Sequence, residues 1–487
     1  MSRYVIAVDQ STSATKVFLL DGDGSICRRF SKAHGQYYPK PGHVEHDAAE
    51  IWANVQEGME AVTAGIAPGA LAALGISNQR ETTVLWDRTT GEPLCPAVVW
   101  QDVRGEALCR DMADKASAVL QKTGLPLSPY YPAAKAASVL RENAAVRQAA
   151  REGRLCLGTV DSYLVFRLTR GEVFQTDVSN AGRTQLMNLR TLSWDEELCG
   201  WFGIDPAWLP RIVPSDGGSG KAGGIPIAGV MGDSHAALFG QGCLEAGMAK
   251  ATYGTGSSVM MNVGDSPVLS GHGLSACVAF GFGGRVFYAL EGNVTCSGDT
   301  LCWLRDEAEL VRDIAEVEAL AATVPDAGGA YLVPAFSGLG APHFDSDARA
   351  LLCGVSRGTR RAHIVRAALE SMAYQDWEVM DAMARDVGQP IRELRVDGGP
   401  TKNALLMQFQ ADLLDCPVLC AAHSELSALG AGYIAGIATG VYESLDTIPA
   451  RAEAGGRYEP RLPPETRKGL LAGWRRAVDK CLTNDKE

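Results

Sequence analysis

The sequence lacks the features that mark proteins of membranes, of the secretory pathway or of nucleic acids. It has no apolar run of about 18 residues, which a membrane-spanning helix needs. No signal-peptide core with a small-residue cleavage site follows Met1. The formal net charge of −12 in 487 residues argues against non-specific binding to nucleic acid or anionic membranes. We therefore expect a cytoplasmic protein with no membrane span and no nucleic-acid partner.

Several catalytic and metal-binding motifs are also missing. The 13 cysteines include no CxxC pair, and His43 and His46 have no further ligands nearby, which disfavours a structural zinc site. Gly220-Lys221 lacks the other residues of a Walker A loop, and neither a GxSxG elbow nor a dinucleotide GxGxxG follows a first strand. These absences disfavour P-loop NTPases, α/β-hydrolases and dinucleotide-dependent enzymes.

The composition, by contrast, is that of an ordinary soluble globular protein. Hydrophobic residues make up 46% of the chain and charged residues 21%. The length of 487 residues is enough for two large domains or about three smaller ones.

The stretch Ile225–Gly242 is the most informative in the chain. Its apolar start predicts a buried strand that ends at Gly232, and Ser234 and the residues after it predict a helix. Asp233 therefore stands at the carboxyl end of a strand, where open α/β sheets bind their ligands. The alternative is that Asp233 only caps the helix, a position that Asp favours.

Two hairpins of similar design lie in the two halves of the chain. Residues 4–8 and 15–20 predict strands that flank Asp9 and a turn rich in hydroxyl groups. Residues 249–253 and 259–263 repeat this pattern around the small-residue turn 254–258. Such turns present backbone N–H and hydroxyl groups to phosphate. The repeat predicts two lobes with a nucleotide between them.

Arg80 and Glu81 stand side by side in a turn between two apolar runs. Such a charged pair can donate a hydrogen bond to one hydroxyl group and accept one from its neighbour. The alternative is an ion pair in a solvated loop.

Together these residues resemble the FGGY family of carbohydrate kinases, within the actin, Hsp70 and sugar-kinase superfamily. The resemblance covers nearly the whole chain. The run from Ala350 to Glu370 matches the family's C-terminal signature, whereas Ser138 replaces a Trp that is usual in the N-terminal signature. Within the family, the likeness is strongest to the members that phosphorylate glycerol. It rests on residues 38–47, 78–83, 98–101, 252–256, 334–345 and 395–399.

The resemblance implies an α/β fold of two RNase H-like lobes with an active-site cleft between them. Residues 1–243 would form the N-terminal lobe, with the substrate site, the first phosphate loop and the catalytic aspartate. Residues 244–487 would form the C-terminal lobe, with the second phosphate loop and the adenosine site. The implied cofactors are ATP and Mg²⁺, the implied partner is a small polyol or sugar, and the implied assembly is a homodimer or homotetramer.

The family's residue roles transfer to the matching positions. Asp233 would be the catalytic base, and Asp9 and Asp233 would be the metal ligands. The residues implied for substrate binding are Arg80, Glu81, Trp100, Tyr130, Asp233 and Ser234. The residues implied for nucleotide binding are Thr12, Ser13, Lys16, Thr255, Gly298, Gly399 and Asn403. Phosphoryl transfer suits this set, because its loose transition state needs mainly positioning and charge neutralisation.

Some positions depart from the glycerol-phosphorylating members. Ser234 replaces a Gln and Ser258 a Phe, and both changes remove bulk from the expected pocket. The substrate therefore stays open between glycerol and a C4–C5 polyol or ketose, such as erythritol, ribulose or xylulose. Cys302 replaces an adenine-side Gln, so no adenine contact is predicted there. The loop 215–224 lacks the Arg linked to inhibition by fructose 1,6-bisphosphate and the phosphorylatable His of some relatives.

Two further functions share part of this pattern. A conformational ATPase of the actin or Hsp70 type would use the phosphate loops but would not require Arg80 and Glu81. An inactive sugar sensor would not require Asp9 and Asp233.

Overall fold

Strands with buried apolar runs assemble into two large mixed sheets, one from each half of the chain. The computed structural model describes residues 3–448 and 454–483, so the outer ends of the predicted lobes, at 1–2 and 484–487, lie outside the described residues. The strands of the first half are β1 (Tyr4–Gln10), β2 (Ala14–Leu20), β3 (Ile26–Ala33), β4 (Glu45–His46), β5 (Leu71–Asn78), β6 (Thr83–Asp87), β7 (Ala97–Val98), β8 (Leu155–Thr159), β9 (Gln175–Asp177), β10 (Met187–Asn188), β11 (Ser193–Trp194), β12 (Arg211–Val213), β13 (Lys221–Ala222) and β14 (Ile225–Gly232). Those of the second half are β15 (Met248–Tyr253), β16 (Ser257–Gly264), β17 (Ser275–Phe282), β18 (Arg285–Val294), β19 (Tyr331–Val333), β20 (Leu351–Cys353), β21 (Glu393–Gly398), β22 (Val418–Ala421) and β23 (Ala454–Tyr458).

The helices lie on the faces of these sheets and in the segments between the strands. They are α1 (Ala48–Thr63), α2 (Glu106–Asp111), α3 (Ala116–Thr123), α4 (Pro132–Glu142), α5 (Ala144–Arg151), α6 (Val160–Leu168), α7 (Val178–Ala181), α8 (Glu196–Phe202), α9 (Asp233–Gly240), α10 (Asp299–Asp306), α11 (Glu316–Ala321), α12 (Arg361–Val387), α13 (Ala404–Leu414), α14 (Leu426–Ala438) and α15 (Pro464–Cys481). No helix in the described part of the chain is both long and apolar enough to cross a membrane.

The two sheets share a design. The first has the order β13-β14-β5-β1-β2-β3, with β1 and β2 as an antiparallel hairpin and β1, β5 and β14 parallel. The second has the order β17-β18-β16-β15-β21-β22-β23, with β15 and β16 as the hairpin and β15, β21 and β22 parallel. The two hairpins predicted from the sequence are thus confirmed.

Alternating side chains bury both faces of the first sheet. On β1, Val5 and Ala7 pack in a cluster with residues of α14, while Ile6 and Val8 pack in a cluster with residues of α1 and α6. Helix α14 approaches very closely, because a Cβ at Gly75 would collide with the backbone of Ala431. Although α14 belongs to the second half of the sequence, it covers the sheet of the first half.

The apolar runs 83–86 and 96–100 predict further strands of the first sheet. This prediction is wrong, because β6 and β7 belong to a separate sheet of order β4-β7-β6-β8. The chain turns away from β5 at Glu81, whose φ of 59° lies in the left-handed region. The departure therefore begins at a predicted substrate residue.

Candidate active site

Three parallel strands end at the same edge of the first sheet. Strand β1 pairs Asp9 with Ser77 of β5, and β14 pairs Gly232 with Asn78 of β5. The residues that follow β5 and β14 therefore emerge next to Asp9. This register brings Asp9, Arg80 and Asp233 into one region, as expected for a ligand site at the carboxyl ends of parallel strands.

Asp233 is the first residue of α9, and Gly232 occupies the N-cap position. The alternative that Asp233 only caps the helix is therefore wrong, because Gly232 holds the N-cap position and no side chain makes a capping hydrogen bond there. Its Oδ1 accepts a 2.7 Å hydrogen bond from the amide of Ser234 and lies 3.3 Å from Nε of Arg80. The Asp233 side chain is 33% exposed, against 7% for Arg80. The carboxylate thus keeps one face open to the cleft.

Asp9 is buried and accepts a short hydrogen bond from the hydroxyl group of Ser77. Burial raises the pKa of Asp9 to about 6; the Ser77 bond opposes this shift and the charge of Asp233 adds to it. A cation between the two carboxylates would relieve that repulsion. Mg²⁺ takes only one or two protein carboxylates, so Asp9 and Asp233 fit it. No group of three or more His, Cys, Asp or Glu residues among the described ones is placed to hold a metal.

Alternating charges connect Asp233 to Glu81; we call Asp233, Arg80, Glu291, Arg183 and Glu81 the charge cluster. Nη1 and Nη2 of Arg80 donate to the two carboxylate oxygens of Glu291, at 2.9 and 2.7 Å. Arg183 pairs with Glu291 at 2.7 Å through Nη1 and donates from Nε to Glu81 at 2.5 Å. Burial alone would raise the pKa of Glu291, but Arg183 and Arg80 hold it well below its ordinary value. Glu291 is therefore ionised between the two guanidinium groups.

Glu81 is held in a strained backbone conformation. A non-glycine residue at φ 59° is costly and persists where surrounding contacts enforce it. The carbonyl of Glu81 accepts from Nζ of Lys135 at 3.4 Å and from the hydroxyl of Thr83 at 3.3 Å. Lys135 also donates to the carbonyl of Tyr130. Lys135 thus donates hydrogen bonds to the backbone of two predicted substrate residues.

Trp100 and Tyr130 form an aromatic wall beside these charges. Their ring centroids are 5.7 Å apart in an edge-to-face arrangement. Nε1 of Trp100 donates to the hydroxyl of Thr12 at 2.9 Å, which links the wall to the first phosphate turn. Burial and the nearby charge of Glu81 raise the pKa of Tyr130 well above its ordinary value, so its hydroxyl stays protonated.

Ser234 and Ser258 are both partly exposed, and Ser258 has an unusual neighbour. Nζ of the buried Lys250 donates to Oγ of Ser258 at 3.4 Å and to the hydroxyl of Thr252 at 3.2 Å. Burial lowers the pKa of Lys250, and the charge of Asp397 opposes that shift. A polar wall therefore stands at the position where a Phe was expected by resemblance.

The predicted nucleotide residues lie in more open surroundings. Ser13 and Thr255 are exposed at the tips of their hairpin turns, and Lys16 pairs with Glu425 at 2.7 Å. The amide of Gly298 donates to the carbonyl of Gly254 at 2.9 Å, so the loop after β18 lies directly against the second turn. A Cβ at Gly298 would collide with that carbonyl, which explains a glycine there.

Gly399 and Asn403 lie in the segment between β21 and α13. A Cβ at Gly399 would meet no atom within 4 Å, so this backbone is accessible. Asn403 caps α13, accepting from the amide of Leu406 at 2.9 Å. Cys302, on α10, is partly exposed.

Sequence reasoning missed four buried charged residues of the site. Glu291 had a visible signal, because it interrupts the apolar strand β18, and a charged residue in a buried strand requires a partner. Lys135 and Lys250 had a weaker signal as single charges in apolar runs. Arg183 follows the very short helix α7 and had no such signal.

Comparison with known proteins assigns the chain to a family. The sequence model of the N-terminal domain of the FGGY family of carbohydrate kinases matches residues 4–240, and that of the C-terminal domain matches residues 249–439. The chain belongs to the FGGY family of carbohydrate kinases. The predicted family, fold class and enzyme class are thereby confirmed, whereas the residue roles and the lobe boundary remain predictions.

Individual FGGY kinases resemble the chain over almost its whole length. It is 49% identical over 493 residues to a glycerol kinase of Methylorubrum extorquens (strain PA1), with 98% of this chain and 97% of that protein covered. It is 46% identical over 487 residues to a glycerol kinase of Burkholderia multivorans, covering 98% and 97%. The crystal structure of Plasmodium falciparum glycerol kinase with ADP superposes with a TM-score of 0.95 at 34% identity, covering 99% of each chain.

A gluconate kinase from Lactobacillus acidophilus shares the fold at a TM-score of 0.88 and 22% identity, covering 99% of this chain and 98% of that one. At this lower identity, the similarity concerns the fold alone.

Proposed function

We propose that this FGGY kinase transfers the γ-phosphoryl group of ATP to a terminal hydroxyl group of glycerol. The observation that supports this most is the placement of Arg80, Glu81 and Asp233 at the edge of the first sheet, where Arg80 pairs with Glu291 of the sheet that carries the second hairpin. The similarity to glycerol kinases at 46% and 49% identity points to the same substrate.

In the proposed mechanism, Arg80 donates hydrogen bonds to the glycerol hydroxyl groups and Glu81 accepts from them. Trp100 and Tyr130 pack against the carbon chain. Asp233 accepts the proton of the attacking hydroxyl as the oxygen–phosphorus bond forms. Mg²⁺, held by Asp9 and Asp233, supplies neutralisation of phosphate charge when bound. This residue assignment explains why the Asp233 carboxylate is partly exposed while the groups around it are buried.

The two hairpin turns hold the nucleotide in this proposal. Thr12, Ser13, Lys16 and Thr255 contact its phosphates. Gly298, Gly399 and Asn403 border the adenosine. The lobes 1–243 and 244–487 close over both substrates and exclude water, which limits futile hydrolysis of ATP.

A second candidate substrate class is a C4–C5 polyol or ketose. It is favoured by Ser258, whose hydroxyl lies 3.4 Å from the Lys250 ammonium group. A hydroxyl group beyond the third carbon would meet polar groups there rather than an aromatic ring. Ser234, smaller than the Gln expected by resemblance, favours the same class.

A coupled assay of ADP release tests these alternatives. The compounds are glycerol, erythritol, ribitol, xylitol, dihydroxyacetone, ribulose and xylulose, with a reaction lacking acceptor as the control. We expect the highest kcat/KM with glycerol and little ADP release without acceptor. A higher kcat/KM with a C4–C5 compound would replace glycerol by the second class. ADP release that is independent of every acceptor would indicate a conformational ATPase.

The proposed setting is the cytoplasm and the proposed assembly is a homodimer or homotetramer. Light scattering after size-exclusion chromatography tests the assembly; a monomer at micromolar concentration would contradict it.

A further inference from the structure

We infer that Glu291 and Arg183 are positioning residues that orient Arg80 and Glu81 toward the polyol, and thereby set how strongly the site discriminates a triol from its deoxy analogue. This inference rests on the proposed function, because it concerns the same substrate site. Neither residue is among those that the family resemblance implies for binding or catalysis.

Glu291 fixes the plane of the Arg80 guanidinium. A guanidinium has five N–H donors in a rigid fork. Glu291 takes one donor from Nη1 and one from Nη2, at 2.9 and 2.7 Å, and Nε lies against Asp233 at 3.3 Å. One N–H on each terminal nitrogen remains for hydroxyl groups. Such a fork-to-fork pair allows far less rotation than a single bond would.

Arg183 holds Glu81 in a comparable way. Its Nε donates to Oε1 of Glu81 at 2.5 Å. In this inference, Oε2 of Glu81 accepts from a hydroxyl group of the substrate. The Arg183 guanidinium lies over the ring of Tyr131, 5.3 Å from the centroid. It also pairs with the carboxylate of Glu291. The side chain is 2% exposed, so little space is left for another rotamer.

The cluster joins the two halves of the chain. Arg80, Glu81 and Arg183 come from the first half, whereas Glu291 lies on β18 of the second sheet. Without the carboxylate of Glu291, the guanidinium groups of Arg80 and Arg183 would face each other in a buried site with no shared counter-charge. Removing one partner of a buried ionic group is strongly unfavourable. Arg80 would then rotate toward water or toward Asp233.

This geometry has a consequence for selectivity. A site built to hydrogen-bond a substrate hydroxyl rejects an analogue that lacks it, because buried donors and acceptors are left unpaired. The penalty is largest when the protein groups cannot rotate to find water. Freeing Arg80 should therefore weaken glycerol recognition while sparing 1,2-propanediol, which keeps a terminal hydroxyl group but lacks the third one.

The test compares wild-type enzyme with Glu291→Gln, in the ratio of kcat/KM for glycerol to kcat/KM for 1,2-propanediol. We expect this ratio to fall by at least about tenfold, with the KM for glycerol rising more than kcat falls. The KM for ATP should stay within about twofold of wild type. A ratio within about twofold of wild type would overturn the inference, even if overall activity declined.

Ser275→Ala is the matched control, because it removes another contact between the halves, the 3.3 Å bond between the Tyr131 and Ser275 hydroxyl groups. For Ser275→Ala, the ratio of kcat/KM for glycerol to kcat/KM for 1,2-propanediol should match that of wild type. A fall in this ratio equal to that of Glu291→Gln would overturn the inference. Compared with Glu291→Gln, Glu291→Asp should restore part of the ratio.

If Glu291→Gln is insoluble, Arg183→Lys replaces it. Lysine keeps the charge of Arg183 but not its Nε donor, so we expect the same fall in the ratio. Wild-type enzyme that does not release ADP with glycerol would instead contradict the proposed function.

Discussion

The proposed polyol end and the proposed nucleotide end of the site differ in how they are built. Arg80, Glu81, Arg183 and Glu291 are buried side chains that fix one another through ion pairs. At the nucleotide end, exposed turns of small residues present mainly backbone, and Gly254 and Gly298 touch through their main chains. A neutral polyol offers only hydroxyl groups, so its recognition needs oriented side chains. A triphosphate is a strong anion that backbone N–H groups can bind.

This comparison implies that the two ends respond differently to substitution. Changes among the buried charges should alter polyol affinity, selectivity and turnover but leave ATP affinity nearly unchanged. Changes in the turns should do the reverse. In the proposed mechanism, Asp9 and Asp233 act between the two ends.

The largest effect is expected from Asp233→Asn, which removes the proposed base between the two ends. Loss of a general base typically lowers turnover by 10² to 10⁴, and we expect about 10³ in kcat with glycerol. Steady-state kinetics and a thermal unfolding scan measure the effect and the integrity of the fold. A folded variant that keeps more than about half of wild-type kcat would show that Asp233 is not the base.

Gly298→Ala should affect the nucleotide end alone. The added Cβ would collide with the carbonyl of Gly254, so the two turns must separate. We expect the KM for ATP to rise about tenfold or more, with the KM for glycerol within about twofold of wild type. The matched control is Gly200→Ala on α8, where a Cβ meets no atom within 4 Å. An equal rise in both KM values for Gly298→Ala would contradict the separation of the two ends.

The same contrast explains what could be predicted from the sequence. The phosphate turns and the strand before Asp233 are local patterns, because a few neighbouring residues determine a hairpin or a strand end. The charge cluster is not local, since Arg80 contacts Glu291 across 211 positions of the chain. Only the pairing of strands within each sheet and the packing between the halves bring such residues together.

Two features of the fold could not be predicted from the sequence. The left-handed backbone at Glu81 directs the chain away from the first sheet into the sheet of β6 and β7, and the residue at that position is neither Gly nor Asn. The Ala- and Gly-rich stretch 425–439 predicts a closely packed helix, but nothing in its composition indicates that α14 covers the first sheet. Both outcomes depend on tertiary contacts rather than on intrinsic preference.

Ser258→Phe should sharpen the selectivity of the polyol end. The ring would replace the Ser258 hydroxyl group, cover Lys250 and fill the space beyond the third carbon of the substrate. One methylene-sized steric difference is worth 10- to 200-fold, so we expect the ratio of kcat/KM for glycerol over erythritol to rise about tenfold. Ser258→Ala is the control, since it removes the hydroxyl group without adding bulk. An unchanged ratio for Ser258→Phe would show that this position does not line the substrate site.

The last prediction concerns stability rather than kinetics, and it concerns Lys135, whose Nζ donates to the backbone carbonyls of Glu81 and Tyr130. Burial lowers the pKa of Lys135 to about 7 from an ordinary value of 10.5, although the charge of Glu81 opposes the shift. The folded protein therefore loses this proton before the unfolded chain does. Burying charged Lys135 lowers the free energy of unfolding, and this cost is complete below pH 7. Between pH 7 and 10.5 the free energy of unfolding recovers as the pH rises, by up to about 1.4 kcal/mol per pH unit.

Urea unfolding at pH 7, 8 and 9 measures this effect. The free energy of unfolding of wild type relative to Lys135→Met should rise with pH over that interval, because only wild type has the titrating amine. A pH-independent difference between the two proteins would show that Lys135 is charged in the folded state across this range.

The most direct test of the account is the product formed from glycerol and ATP. Phosphorus NMR should show one phosphomonoester on a primary hydroxyl group of glycerol, appearing in equal amount with ADP, and only a trace with Asp233→Asn. Inorganic phosphate in place of the phosphomonoester, or a phosphomonoester formed equally fast by Asp233→Asn, would contradict it.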